Sequence, residues 1–108
     1  MIRSEMVYVA VDSDQIVGVL RGRTTRLGSL FVTGDRHRSG IGRQLVERFE
    51  RDAARAGATE IKVAATLHGL PFYLRMGYKK STGLRLGRSF DGRGLPEQPM
   101  KKRLAESA

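Results

Sequence analysis

The chain has 108 residues, a formal net charge of +9, 40% hydrophobic residues and no cysteine. That length suits one domain with a core of its own, and the missing cysteines exclude disulfides, thiolate metal sites and a cysteine nucleophile. The charge fits nucleic acid, an acidic surface or an anionic small ligand as partner, or solubility with general attraction of anions.

Residues 6–11 (Met-Val-Tyr-Val-Ala-Val) are apolar, aromatic and β-branched and read as a strand. Asp12-Ser13-Asp14 is a turn cluster, and residues 15–20 read as the second strand of an antiparallel hairpin. Residues 27–33 form a third strand, with Gly28 as a bulge or close-approach position. The near-continuous apolar character of these strands predicts that both faces of the sheet are covered.

A basic, glycine-bearing turn follows, and then a helix over residues 40–56. Ile41, Leu45, Val46, Phe49, Ala53 and Ala56 share one stripe at helical spacing. Glu47 and Arg51 stand at i,i+4 on the polar side, and Gly57 is placed to end the helix. Residues 60–65 are a fourth strand; a helix-joined crossover makes it the parallel neighbour of the 27–33 strand. A short helix over residues 70–76 starts with Pro71 in its first turn and stops at Gly77. A strand begins at residues 78–80, residues 82–94 read as a long turn, and residues 98–104 read as a last strand. Met100, Lys102 and Leu104 share one face of it, and Pro99 predicts an edge or strand-start position.

The most telling stretch runs from Leu30 to Leu45: an apolar strand, the turn Gly34-Asp35-Arg36-His37-Arg38-Ser39-Gly40-Ile41-Gly42-Arg43, then the helix. Such an order sets free backbone N–H groups at a helix N-terminus, where a phosphate can sit. Gly40 and Gly42 let a ligand approach the main chain, and Arg36, Arg38 and Arg43 add positive charge. A lone Gly-x-Gly is weak evidence. Here a second element stands one strand later, Pro71-Phe72-Tyr73-Leu74-Arg75-Met76-Gly77-Tyr78.

With both motifs in this order, the chain resembles the GNAT superfamily of acetyl-CoA-dependent N-acetyltransferases over residues 6–104. The family's Gln/Arg-x-x-Gly-x-Gly/Ala motif matches at Gly40-Ile41-Gly42, with His37 where Gln or Arg is usual. The family's Phe-Tyr-x-x-x-Gly-Phe/Tyr motif matches from Phe72 to Tyr78. The resemblance implies a single α/β (α+β) domain over residues 1–108, with a mixed, mostly antiparallel sheet and the 40–56 helix packed on one face. It implies acetyl-CoA lying in a splay between the third and fourth strands. Leu30, Phe31 and Val32 would follow the pantetheine arm, and His37, Arg38, Ser39, Gly40, Ile41, Gly42 and Arg43 would hold the diphosphate. Thr66 occupies the small polar position before the second motif, and Tyr73 matches the tyrosine that protonates the departing thiolate. No metal is implied.

The expected activity is direct transfer of an acetyl group to a primary amine on a small molecule or a peptide. The third strand carries no carboxylate, which leaves Asp35, Glu60 and His68 as candidate bases. The strand and helices that usually precede the hairpin in this family have no counterpart, which points to a minimal member, a site completed by a partner, or a truncated reading frame. Apolar sheet surface left uncovered there predicts a homodimer. A cytoplasmic location is expected, because no stretch reaches the roughly 18 apolar residues of a membrane span and the start lacks a signal peptide's apolar run. Two other readings stay open. One is a GNAT-like domain that binds CoA without turnover. The other is a basic nucleic-acid module, disfavoured by 6% aromatic residues and the absence of a concentrated basic stripe on the helix.

Overall fold

The structure, a computed structural model, describes residues 5–34, 39–87 and 95–104. The elements are β1 (Met6–Asp12), β2 (Gln15–Arg23), β3 (Arg26–Val32), α1 (Ile41–Arg55), β4 (Glu60–Thr66), α2 (Leu70–Arg75), β5 (Lys79–Lys80), β6 (Arg85–Gly87) and β7 (Leu95–Arg103). Among the described residues they form one sheet in the order β1-β2-β3-β4-β7-β5, with β6 beside β7. Every pairing is antiparallel except β3 with β4.

Ser13 and Asp14 both adopt positive φ (50° and 65°) in the β1–β2 turn, the mirror-image geometry that matches strand twist in a two-residue hairpin. Gly28 is the extra residue of a bulge: Arg21 lies opposite Ser29, yet Gly22 lies opposite Leu27. A Cβ on Gly28 would come within 3.1 Å of the Arg21 carbonyl. Gly57 (φ +100°) and Gly77 (φ +96°) close α1 and α2 in the left-handed conformation, as their positions predict.

Both crossovers, β3–α1–β4 and β4–α2–β5, join parallel strands and step the same way across the sheet. The right-handed rule therefore puts α1 and α2 on the same face. Leu45, Val46, Phe49 and Ala53 of α1 are buried there with Leu20, Leu27, Ile61, Val63, Met100, Tyr73 and Tyr78. Each such large apolar side chain contributes about 1.5–3 kcal/mol on burial. Gly18 and Gly22 let α1 approach: a Cβ on Gly18 would sit 3.0 Å from both Ile41 and Leu45, and one on Gly22 would sit 3.0 Å from Phe49.

Four expectations are corrected. Ala56 lies outside the buried stripe, because α1 ends one residue earlier, at Arg55. Glu47 pairs back to Arg43 at 3.4 Å rather than forward to Arg51. The 82–94 stretch contains a strand, β6, which pairs with the start of β7. Pro99 sits in the middle of an interior strand, opposite Ala64. Its carbonyl accepts from Ser81 N–H at 3.0 Å. A residue's N and O point to the same side of an antiparallel ladder, so the missing N–H falls where the two-residue β5 has already ended.

A further difference concerns coverage. Val9, Val19 and Phe31 stand in one cross-strand row on the face away from α1. Val9 is 47% and Phe31 62% exposed, and Val7, Val11 and Ile16 around them are exposed too. The predicted cover on both faces is thus absent here among the described residues, as the expectation of uncovered apolar sheet surface required. No described helix is long and apolar enough to cross a membrane.

Candidate active site

β3 and β4 share only two rungs, Arg26 with Lys62 and Leu27 with Val63. Beyond them β3 continues to Val32 and β4 to Thr66 without pairing. The bulge at Gly28 turns β3 away while β2 keeps hold of it. Thr33 N–H donates to the Val17 carbonyl at 3.0 Å. Backbone groups alternate sides along a strand, so Phe31 also bonds toward β2, and Leu30 presents its N–H and C=O to the gap.

α1 starts beside the open end of this gap. Gly40 is its N-cap at φ +88° and ψ 0°, with no side-chain cap and no acidic residue in the first turn. A Cβ on Gly40 would meet nothing within 4 Å. The first intrahelical bond, Gln44 N–H to the Gly40 carbonyl, is 3.0 Å long. The N–H groups of Ile41, Gly42 and Arg43 therefore have no partner inside the helix, and they carry the positive end of its dipole. Ser39, Gly40 and Arg43 are exposed, and Ile41 and Gly42 are half-buried. His37, Arg38 and Asp35 lie outside the described residues.

A Cβ on Gly42 would lie 3.5 Å from the Phe72 ring and 3.6 Å from the Val32 side chain. The end of β3, the start of α1 and α2 thus converge at one point. On α2, Tyr73 stacks edge-on between Phe72 (centroids 5.2 Å apart) and Tyr78 (5.6 Å). Tyr73 is 7% exposed. Burial raises its phenol pKa to about 12, and its hydroxyl hydrogen-bonds to no described residue. It therefore stays protonated at neutral pH and has a proton to give. Thr66 closes β4, where its Oγ1 accepts the Gly69 N–H at 3.1 Å and shapes the turn into α2.

The candidate bases separate. His68 is an exposed residue of that turn. Glu60 begins β4 and stands about 20 Å along the strand from Thr66, at the far end from the gap. Two features had no signal in the sequence. Thr33 Oγ1, at the end of β3, is buried with no hydrogen-bond partner among the described residues. Behind Tyr73, Tyr78 donates to Glu50 Oε2 at 2.8 Å while Lys102 Nζ reaches Glu50 Oε1 at 2.9 Å. Burial first, and then the Glu50 carboxylate, push the Tyr78 phenol pKa far up.

A protein-family model described as an acetyltransferase (GNAT) domain matches residues 1–104. The chain belongs to the GNAT acetyltransferases. Solved GNAT structures share the fold. A GCN5-related N-acetyltransferase from Rhodopseudomonas palustris superposes with a TM-score of 0.86 at 23% identity, over 93% of this chain and 62% of that one. An aminoglycoside 6'-N-acetyltransferase complexed with coenzyme A gives 0.76 at 21% identity, over 96% and 75% of the two chains. A PaiA N-acetyltransferase from Thermoplasma acidophilum in complex with coenzyme A gives 0.70 at 15%, over 92% and 60%. The chain thus spans less than two thirds of the length of the first and third of these proteins. No curated protein matches it in sequence. The GNAT chain therefore carries the mixed α+β fold that its motifs implied, with the two motifs on either side of the strand gap.

Proposed function

We propose that this GNAT domain is an N-acetyltransferase, moving an acetyl group from acetyl-CoA to a primary amine by direct transfer while both substrates are bound. The single observation that carries the reading is the β3–β4 ladder stopping after two rungs beside an uncapped helix start. A gap of this kind has room for an extended thioester arm, and the helix start suits a diphosphate. Bound there, acetyl-CoA supplies the activated acyl group.

The residues divide the work as follows. Main-chain groups of Leu30 and Val32 align the pantetheine arm as an added strand would, with Phe31 between them held to β2. The amides of Ser39, Gly40, Ile41, Gly42 and Arg43, with His37 and Arg38, hold the diphosphate. A main-chain N–H near Val32 stabilises the negative charge that grows on the carbonyl oxygen. The neutral amine forms its bond to the carbonyl carbon as the C–S bond breaks. Tyr73 gives its proton to the sulfur and is reprotonated from solvent, and the amine's surplus proton leaves to water or a base. Thr66 supports the site through the turn it shapes. The raised pKa of Tyr73 keeps its hydroxyl protonated at neutral pH, so that it can donate a hydrogen bond to the departing sulfur.

The homodimer reading belongs here as well: exposed Val9 and Phe31, with half-buried Val19 between them, supply an apolar surface that a second copy would cover. A cytoplasmic location fits such a use of acetyl-CoA. The test is calorimetric titration with CoA together with thiol release from acetyl-CoA in the presence of a panel of amines. CoA binding with no transfer to any amine favours a CoA-binding domain without turnover. Absence of CoA binding overturns the reading altogether.

A further inference from the structure

Five cations stand in a single cross-strand row: Arg23 on β2 opposite Arg26 on β3, Arg26 opposite Lys62 on β4, Lys62 opposite Lys101 on β7, and Lys101 opposite Lys79 on β5. Residues directly opposite share a face. Lys62 alternates with the buried Ile61 and Val63, and Lys101 alternates with Met100 and Lys102 of the α1 side. The row therefore lies on the face away from both helices, and all five side chains are exposed. At about 4.8 Å per strand it runs about 19 Å.

Like charges placed directly opposite one another in a sheet destabilise it. Nothing in the described residues relieves this row, for none of the five is in an ion pair. Three carboxylates lie near the row without pairing to it. Glu5 lines one cleft with Arg23 and Arg26 but pairs with Arg21 at 2.8 Å, Glu97 pairs with Arg85 at 2.8 Å, and Glu60, two residues before Lys62, faces Arg103 in the register. A cost carried over five strands without internal compensation indicates an anionic partner.

The row also has a fixed relation to the gap. Its Arg26–Lys62 rung is the first of the two that β3 and β4 share, so the strands diverge just past the following rung. The diphosphate cradle belongs to the α1 side. An amine meeting the thioester from the other side crosses the cation row. We propose that this row docks the acetyl acceptor through carboxylates, and that the acceptor is an acidic polypeptide segment carrying the reactive amine, an inference that rests on the acetyltransferase reading. An extended segment of about six residues spans 19 Å and turns alternate side chains, about 6.7 Å apart, onto the row. Polycationic amines are repelled by the same charges. Nucleic acid fits less well. Among the described residues Phe31 is the exposed aromatic of that face, and it lies about 16 Å along β3 from Arg26, so these residues offer a base at the row no stacking platform.

The experiment uses the full chain and three fluorescein-labelled peptides of equal length with one lysine each, rich in Asp and Glu, neutral, or basic. Binding is read by anisotropy without acetyl-CoA, and transfer by kcat/KM. The acidic peptide should bind best and be the best acceptor. Binding should weaken steeply between 0.1 M and 1 M salt, where the screening length falls from about 10 Å to about 3 Å. K62E/K101E should weaken acidic-peptide binding by about tenfold or more, with CoA affinity unchanged. K62Q/K101Q should weaken it less, with a melting temperature equal to or above that of the parent. Equal binding of the acidic and neutral peptides, or no effect of either variant, overturns the proposal. Displacement of the acidic peptide by an equimolar single-stranded oligonucleotide overturns it in favour of nucleic acid. Transfer to small amines without acidic preference overturns it and leaves the acetyltransferase reading standing. Row-dependent binding of the acidic peptide with no transfer to any amine overturns the acetyltransferase reading and the acceptor role together.

Discussion

Leu27 and Val63 form the last rung that β3 and β4 share, and both are buried against α1. The pair anchors the two strands at the point where they begin to diverge. An apolar, well-packed rung suits that duty, because opening the ladder further would expose it.

Gly40→Glu is expected to abolish measurable CoA binding, or weaken it by about tenfold or more. Two effects add: the residue holds φ +88°, which costs a side chain about 1–2 kcal/mol, and a carboxylate enters the proposed diphosphate site. Gly40→Ala carries only the first and should bind CoA more nearly as the parent does. Calorimetric titration separates them, and parental affinity in the Glu variant would remove the cradle assignment.

Tyr73→Phe should lower the transfer rate by about tenfold or more, within the range for loss of a general acid, while CoA affinity changes little. The pKa of about 12 predicts that the parent's rate shows no fall from Tyr73 ionisation below pH 10. Stability carries the same signature. A phenol raised from 10 to about 12 by burial keeps its contribution below pH 10 and loses it as pH rises through 12. That loss reaches about 2–3 kcal/mol only above pH 12 and is about 1.4 kcal/mol at pH 11, readable by urea unfolding at pH 8 and pH 11. An alkaline stability equal to that at neutral pH would contradict the burial of this hydroxyl.

Glu50→Ala should destabilise the domain by about 2–4 kcal/mol. It strips the partner from the Tyr78 hydroxyl and from Lys102, whose side chain is only 25% exposed. Glu50→Gln keeps an acceptor for Tyr78 and should cost less. Denaturant midpoints at constant slope measure both.

Light scattering at micromolar concentration is expected to return a dimer, and Val9→Glu, which puts a charge on the exposed apolar face, is expected to return a monomer. A monomeric parent would discard the dimer.

Local sequence carried much of the fold. The apolar, β-branched run of β1, the helical stripe of Leu45, Val46, Phe49 and Ala53, and the stops at Gly57 and Gly77 all arise from interactions within a few residues, so pattern alone revealed them. The same holds for the two motifs, each contiguous in the chain. Other features depend on residues far apart. Glu50 meets Lys102 across 52 positions, and Glu47 turned to Arg43 instead of Arg51 although both spacings look alike in sequence. Pro99 reads as an edge residue until the shortness of β5 is known.

By itself the sequence determined the elements other than β6, their order, the glycine turn at the start of α1 and the tyrosine of α2, because backbone conformation and side-chain periodicity are local matters. The tertiary structure alone decided that β3 and β4 pair for two rungs and then separate. It also decided that cations from five strands line up on one face, because register between strands is set by packing and bulges that no single segment encodes.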